Sequence, residues 1–209
     1  TIINLYQIKD KYNLVLNKFC KKNILFKDFY HPILVESSSL EKNDLSINNN
    51  IKNICISGPN ASGKSVFLKT LLVNLNFCYS FGLSFSNRAI IPKYDKVFIL
   101  INIHDTIGSE SFYQAQITQL IKLINVVDNN KSKKYLAIMD EVLNSTNYVA
   151  AVSIIYALVE YLIKLPNLTL IFATHYFEVT ELEETYPDRI KNFNLLITQE
   201  EGFLTYLYK

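Results

Sequence analysis

Arginine is scarce in this 209-residue sequence. Only Arg88 and Arg189 are arginines among the 21 basic residues, and the formal net charge is +2. Because arginine binds phosphate bidentately, a surface built for phosphate recognition usually contains more of it. The small net charge and the scarcity of arginine therefore argue against broad nucleic-acid binding by this segment on its own.

Cysteine is also sparse, and long apolar runs are missing. Cys20, Cys55 and Cys78 are too widely spaced for a zinc pattern, so buried thiols in a reducing compartment are the simplest interpretation. The longest apolar stretch, around residues 66–85, is interrupted by Lys69 and two asparagines, and we expect no membrane span. We recognise no signal peptide and expect an intracellular protein.

Apolar runs alternate with helical segments along the chain. Hydrophobic residues make up 49% of the sequence and charged residues 19%, enough for a sizeable core in one large or two small domains. The alternation predicts an α/β fold with a mostly parallel sheet flanked by helices. The helix at 148–165 is apolar nearly all round, so we expect it to be buried or sandwiched. We predict strands at 33–36, 51–57, 88–91, 96–103, 133–141 and 168–175 with two closing strands, and helices at 1–30 in one or two pieces, 63–82, 110–128, 148–165 and 177–186.

The stretch "ISGPNASGKSVF", residues 56–67, fits the pattern G-x-x-x-x-G-K-[ST] between a predicted strand and a predicted helix. Glycines let the backbone N–H groups approach a phosphate, and the helix N-terminus favours anions. Lys64 would reach the β- and γ-phosphates and Ser65 would ligate Mg²⁺. The alternative is a glycine-containing turn that binds nothing. The candidate nucleotide-binding residues are Gly58, Pro59, Asn60, Ala61, Ser62, Gly63, Lys64, Ser65 and Val66.

Two further strands end in chemically useful residues. "YLAIMDE" ends in Asp140, which would hold Mg²⁺, and Glu141, which would polarise the attacking water; the alternative is a solvated acidic turn. His175 follows "LIFAT" and would contact the γ-phosphate or the water, although a histidine at a strand end is more often structural. Ligands bind at the carboxyl ends of parallel strands, so Ser57, Asp140 and His175 should converge. Lys64, Glu141 and His175 are thus the candidate catalytic residues.

The segment "IHDTIGSESFYQAQI", residues 103–117, combines a polar turn with hydroxyl groups at a predicted helix start. One interpretation is a helix N-cap formed by Ser109 or Ser111. The other is that Ser111 and nearby N–H groups face a phosphate, which need not belong to the same chain.

Four motifs together carry a family resemblance. "GPNASGKS", "GSESFYQAQI", "MDEVLNSTN" and "ATHYFEVTEL" occur in order at fitting distances, and they resemble the ATPase domain of the MutS family of DNA mismatch-repair proteins, relatives of the ABC ATPases. "FYHPILVE" and "KND" extend the resemblance to about residue 29. The segments "DEVLNSTN" and "NIHDTIGSESFYQAQ" resemble divergent MutS-like proteins of some bacteria and large DNA viruses more than the main repair branch. The resemblance implies a P-loop NTPase fold of the ABC type at 29–209, preceded at 1–28 by the end of a helical clamp region.

The resemblance also implies roles, cofactors and partners. It implies bound ATP and Mg²⁺, a second MutS-like subunit forming a homodimer, and DNA bound through domains outside this chain, with no membrane. Cytoplasm, nucleus and viral factory are not distinguished. The matched residues are Lys64 and Ser65 of Walker A, Asn60 as a γ-phosphate contact, Asp140 and Glu141 of Walker B, His175 as the switch histidine, and Ser111 as the signature serine that reaches the partner's ATP.

Some positions depart from the family pattern. Gln116 stands where a glutamate is expected, Ala150 and Ala151 replace an acidic residue and a glycine, and Leu40 replaces an aromatic residue beside adenine. The hydrolysis rate and base preference therefore stay open. The family's dimer-locking C-terminal helices and mismatch-reading domain are not in this sequence, so we expect a piece of a larger protein. Two alternatives are a nucleotide-gated dimerisation module with little hydrolysis and another ABC-type ATPase of chromosome maintenance or transport.

Overall fold

The computed structural model describes residues 2–35, 40–48, 51–60, 62–101, 112–143, 147–200 and 203–208, with side chains between residues 7 and 194 except Phe112. The chain divides into two compact units. The first comprises Thr1–Asn49 and Val66–Lys93, and the second comprises Asn50–Ser65 and Tyr94–Lys209.

Helices and strands alternate between residues 96 and 200, whereas several strands follow one another before residue 96. The helices are α1 (Ile2–Lys11), α2 (Lys64–Phe81), α3 (Phe112–Asn129), α4 (Tyr148–Ile163) and α5 (Leu182–Thr185), with 3-10 helices at Pro32–Leu34 and Phe177–Glu181. The strands are β1 (Val15–Leu16), β2 (Lys18–Cys20), β3 (Ile24–Phe29), β4 (Asn43–Ile47), β5 (Asn53–Ser57), β6 (Leu83–Ser84), β7 (Arg88–Pro92), β8 (Lys96–Leu100), β9 (Tyr135–Asp140), β10 (Leu168–Thr174), β11 (Ile190–Glu200) and β12 (Phe203–Tyr208).

The first unit contains a four-stranded sheet in the order β2-β7-β3-β4. β2 pairs with β7 in parallel, and β3 pairs antiparallel with both β7 and β4. Along β4 every second residue is buried, as expected for a strand with one face on a core. Strands β1 and β6 form a separate antiparallel pair.

Two predictions for this unit are wrong. The helix predicted over residues 1–30 is confined to α1, because the following residues form β1, β2 and β3. In β3, Ile24 and Phe26 are fully buried, and the residue between them is more exposed. Burial of every second residue is typical of a strand. The strand predicted at 33–36 is also wrong, because Pro32–Leu34 forms a 3-10 helix. Nδ1 of His31 accepts a hydrogen bond from the Ile33 N–H at 3.3 Å and caps that helix.

A buried asparagine fixes α2 in the first unit. The Nδ2 group of Asn74 donates to the carbonyls of Tyr30 at 3.1 Å and Thr70 at 3.0 Å. Its Oδ1 accepts from the Ser84 hydroxyl and the Phe85 N–H, both at 2.9 Å. The side chain is completely buried, and all four of its hydrogen bonds are made to other protein groups.

The second unit contains a six-stranded sheet in the order β12-β11-β5-β10-β9-β8. The five strands β11, β5, β10, β9 and β8 run parallel, and β12 pairs antiparallel with β11 at one edge. The predicted α/β architecture with a mostly parallel sheet is confirmed. Residues of α3, α4 and the sheet form the main apolar cluster, which includes Leu123, Ile155, Met139 and Phe172.

Asn53 at the start of β5 joins its neighbouring strands. Its Nδ2 group donates to the Arg189 carbonyl at 2.8 Å, and its Oδ1 accepts from the Leu170 N–H at 2.9 Å. The register then places Ser57 opposite Thr174, and Asp140 opposite Ala173. The predicted strand ends therefore lie level at one edge of the sheet.

Helix α4 is buried on one face, which differs from the prediction for 148–165. Ala151, Ile155 and Val159 are buried at intervals of four residues, whereas Val149 is 71% and Tyr161 is 42% exposed. Apolar composition alone did not distinguish the two faces.

Two of the three cysteines, Cys55 and Cys78, are buried as expected. Burial raises the pKa of Cys55, and it raises the pKa of Cys78 to about 12. Cys20 is partly exposed. Within the described ranges, none of the helices has the length and apolar character that a bilayer crossing requires.

We predict that Asn74→Ala lowers the free energy of unfolding by about 3 kcal/mol, because it removes four buried hydrogen bonds. The matched control is Asn76→Ala on the same helix, whose exposed Oδ1 accepts only from Ser80 among the contacts described. Chemical denaturation of both variants measures the difference. Equal stabilities for the two variants would contradict the role of Asn74.

Candidate functional site

The loop after β5 has the backbone that the glycine pattern predicts. Gly58 has φ +153° and Gly63 has φ +94°, values that residues with a Cβ adopt rarely. Helix α2 begins directly after the loop, at Lys64. The predicted order of strand, glycine loop and helix is therefore confirmed for the described residues of this segment. Ala61 lies outside them.

The side chain of Lys64 turns back over this loop. Its Nζ donates to the carbonyls of Gly58 at 2.9 Å and Pro59 at 2.8 Å. It also lies 3.1 Å from Oε1 of Glu141, and the lysine side chain is only 3% exposed. A buried ammonium group is thus compensated by two carbonyl oxygens and one carboxylate.

The structure brings the three candidate catalytic side chains together. Glu141 follows β9, and its N–H donates to the Ala173 carbonyl of β10 at 3.1 Å. Nδ1 of His175 lies 3.7 Å from Oε1 of Glu141, which is longer than a hydrogen bond. Glu141 therefore stands between the lysine and the histidine, as the convergence of strand ends predicted. The chemical roles of these residues stay predictions.

His175 also belongs to an aromatic group that the sequence analysis missed. Its ring lies 4.1 Å from the ring of the buried Tyr176, which in turn contacts Tyr148 edge-on at 5.4 Å. Burial, and then the nearby charge of Glu141, raise the pKa of Tyr176. The only signal in the sequence was its position next to His175.

The Gln116 side chain contributes to the site through a hydrogen bond to the backbone of the turn after β9. Its Oε1 accepts a hydrogen bond from the buried N–H of Leu143 at 2.8 Å, two residues after Glu141. From the sequence, this position is recognisable only as one where a glutamine replaces an expected carboxylate. The structure shows that the amide oxygen has a partner of its own.

The remaining candidate residues lie in several parts of the structure. Asp140 ends β9 and Ser65 is the second residue of α2. Pro59 and Asn60 are exposed, and Val66 is 49% exposed. Leu40 packs in the first unit against an apolar cluster that contains Tyr30 and Phe85. Ala61, Ser109 and Ser111 lie outside the described residues.

The protein is of the α/β class, and its glycine loop, buried lysine and acidic turn lie together at the carboxyl ends of five parallel strands, the edge where such sheets usually bind ligands. The family model of MutS domain V matches residues 54–209. The chain belongs to the MutS family, and the matched residues are its domain V.

Bacterial relatives agree with this membership. The DNA mismatch repair protein MutS of Thermotoga maritima is 30% identical over 202 residues, covering 95% of this chain and 24% of that protein. The protein of the same name from Fusobacterium nucleatum is 29% identical over 181 residues, covering 85% and 20%. That of Clostridioides difficile is 28% identical over 186 residues, covering 86% and 19%. The chain thus spans about a fifth to a quarter of the length of these curated relatives. Because the chain belongs to the MutS family, the alternative interpretation, an ABC-type ATPase of chromosome maintenance or transport, is not favoured.

Proposed function

We propose that this chain is the ATP-binding and ATP-hydrolysing domain, of the ABC-type P-loop class, of a DNA mismatch-repair protein. The observation that carries the proposal is the position of Lys64. Its buried ammonium group lies at the glycine loop and 3.1 Å from the carboxylate of Glu141. The Lys64 ammonium group, which would bind phosphate, and the Glu141 carboxylate, the candidate general base, therefore lie at the same edge of the sheet.

The loop supports binding of a triphosphate. Gly58 and Gly63 leave room for backbone N–H groups near a phosphate, and α2 presents its N-terminus at the same place. The Lys64 ammonium now donates to two loop carbonyls. Charged phosphate oxygens are stronger acceptors than carbonyls, so Lys64 exchanges these partners for phosphate when the nucleotide binds.

The donor set suits Mg²⁺. The Ser65 hydroxyl and the Asp140 carboxylate are hard oxygen ligands of the kind Mg²⁺ prefers. Asp140 ends β9, and Ser65 follows the loop after β5 at the same edge of the sheet. When bound, Mg²⁺ supplies charge neutralisation of the phosphates.

Hydrolysis needs a base and a group that orients the reaction. The Glu141 carboxylate accepts the proton of the attacking water, and exchange of its Lys64 partner leaves Oε1 available for that water. Nδ1 of His175, whose ring packs against Tyr176, lies 3.7 Å from the same Oε1, and the histidine would contact the water or the γ-phosphate.

The proposed ATPase domain covers residues 29–209 and reaches further towards the N-terminus. We infer this extension because β2 and β3 share a sheet with β4 and β7, which supports including residues 18–28 in the domain. The end of the clamp region is then confined to residues before β1.

We extend the proposal to a second copy of the protein, with ATP held between two subunits and coupled to DNA bound outside this chain. The support is the family resemblance of the segment around Ser111, which would reach the partner's nucleotide.

We predict that Lys64→Ala weakens ATP binding on the order of 10- to 100-fold, because hydrogen bonds to a charged group contribute about 1.5–3 kcal/mol. Calorimetric titration with ATP measures the affinity. Lys69→Ala, an exposed lysine on the same helix, is the matched control and should bind normally. Normal affinity in the Lys64 variant would refute the nucleotide site.

We predict that Glu141→Gln retains ATP binding but slows single-turnover hydrolysis by on the order of 10²- to 10⁴-fold, because the amide cannot act as a base. Glu184→Gln, an exposed glutamate of α5, controls for loss of charge alone. Unchanged turnover in the Glu141 variant would show that another group is the base, and His175→Ala would then be the next variant to assay.

We predict that Ser111 acts on the partner's site. Subunits carrying Ser111→Ala are mixed with subunits carrying Lys64→Ala, and ATPase activity is measured as mixed dimers form. In a mixed dimer, one site then combines the intact loop lysine of one subunit with the intact Ser111 of the other, whereas the second site lacks both. Activity should therefore rise above the average of the two parents. Activity that stays at that average, with mixed dimers verified, would mean that each subunit works alone.

A further inference from the structure

The turn that carries Glu141 has a strained backbone. Glu141 has φ +45° and Leu143 has φ +62°, both in the left-handed region. Residues with a Cβ stay in this region only where surrounding contacts hold them. The contacts of this turn therefore determine where the Glu141 carboxylate lies.

Two hydrogen bonds hold the turn. The Glu141 N–H donates to the Ala173 carbonyl at 3.1 Å, which ties the turn to β10. The Leu143 N–H donates to Oε1 of Gln116 at 2.8 Å, which ties it to α3. Val142 and Leu143 are 5% and 0% exposed, so water does not replace either bond easily.

Gln116 lies where an apolar side chain would be expected. It is 3% exposed, and Leu120 and Leu123 of the same helix belong to the apolar cluster. A buried amide is unfavourable unless it is hydrogen-bonded, and here its oxygen serves a backbone N–H 27 residues away. An apolar residue at this position would leave the Leu143 N–H buried without its acceptor.

The bond at Leu143 bears on the carboxylate two residues earlier. Oε1 of Glu141 lies 3.1 Å from Nζ of Lys64 and 3.7 Å from Nδ1 of His175. A change in the backbone angles of the turn swings Glu141 relative to both. Small misplacements of a reacting group reduce turnover strongly, whereas binding of the substrate elsewhere is little affected.

We propose that Gln116 is a positioning residue that holds, through the Leu143 N–H, the turn that aims Glu141 at the attacking water. This inference rests on the proposed hydrolysis of ATP. Gln116 acts only through the backbone, and it needs the acceptor oxygen at the end of a side chain of its length.

The test compares four variants in the protein that contains this chain. Gln116→Leu keeps the approximate volume and removes the acceptor, Gln116→Asn shortens the amide by one methylene group, and Gln116→Glu keeps an acceptor oxygen at the same reach. Gln119→Leu, on the exposed side of α3, is the matched control. The measurements are kcat and KM for ATP, equilibrium affinity for ATP, thermal unfolding, and hydrogen exchange of the Leu143 amide.

The Leu and Asn variants should lose on the order of 10- to 100-fold in kcat. Their ATP affinity should stay within about twofold of the wild type, because the phosphate loop is untouched. The Leu143 amide should exchange faster in both variants. Gln116→Glu should restore kcat and protection of that amide, and Gln119→Leu should change none of these five quantities.

Several results would overturn the role of Gln116. These are wild-type kcat in the Leu or Asn variant, equal losses of kcat, ATP affinity and thermal stability, failure of both variants to fold, or a folded Gln116→Glu protein as slow as Gln116→Leu. Failure of the underlying function looks different. In that case the wild-type protein itself does not hydrolyse ATP, or Lys64→Ala binds ATP normally.

Discussion

A buried ammonium group needs oxygen partners, and this requirement organises the site. Nζ of Lys64 is compensated by the carbonyls of Gly58 and Pro59 and by the carboxylate of Glu141. The carbonyls come from the loop after β5, and the carboxylate comes from the turn after β9, with β10 between the two strands in the sheet. All three oxygens reach the lysine only if these strands end at the same edge. The parallel direction of the strands is therefore a condition for burying the charge.

The register of the sheet is set partly at its other end. Asn53 begins β5 and bonds to the Leu170 N–H and the Arg189 carbonyl, so one polar side chain fixes both neighbours of the strand. A shift of one residue would turn alternate side chains to the opposite face. The observed register keeps Ser57 opposite Thr174, next to His175. A buried amide far from the glycine loop thus contributes to the alignment of the site.

The sequence predicts those features that depend on local pattern. The buried strands β5, β9 and β10 are continuous apolar runs, and the glycine loop and its helix follow from residue spacing. The strands β1 to β3 were missed because lysines among apolar residues also fit a helix, and the pairing with β7 decides the outcome. Gln116 and Tyr176 were missed as site residues because their contacts join segments distant in sequence or depend on burial. Tertiary contacts of this kind leave no local pattern.

The pair of Lys64 and Glu141 also explains why the turn after β9 must be rigid. In the structure Glu141 has Lys64 as its near partner at 3.1 Å, whereas His175 is too distant for a hydrogen bond. A bound phosphate that attracts the Lys64 ammonium group would remove the charge partner of Glu141. Without other restraints, the Glu141 carboxylate would then follow Lys64 or turn to solvent. The bonds from Glu141 to β10 and from Leu143 to α3 oppose such movement, because they hold the backbone on both sides of Val142. The strain of two left-handed residues is thereby offset by contacts outside the turn. Under the proposed function, these contacts would keep the carboxylate in place while its charge partner changes.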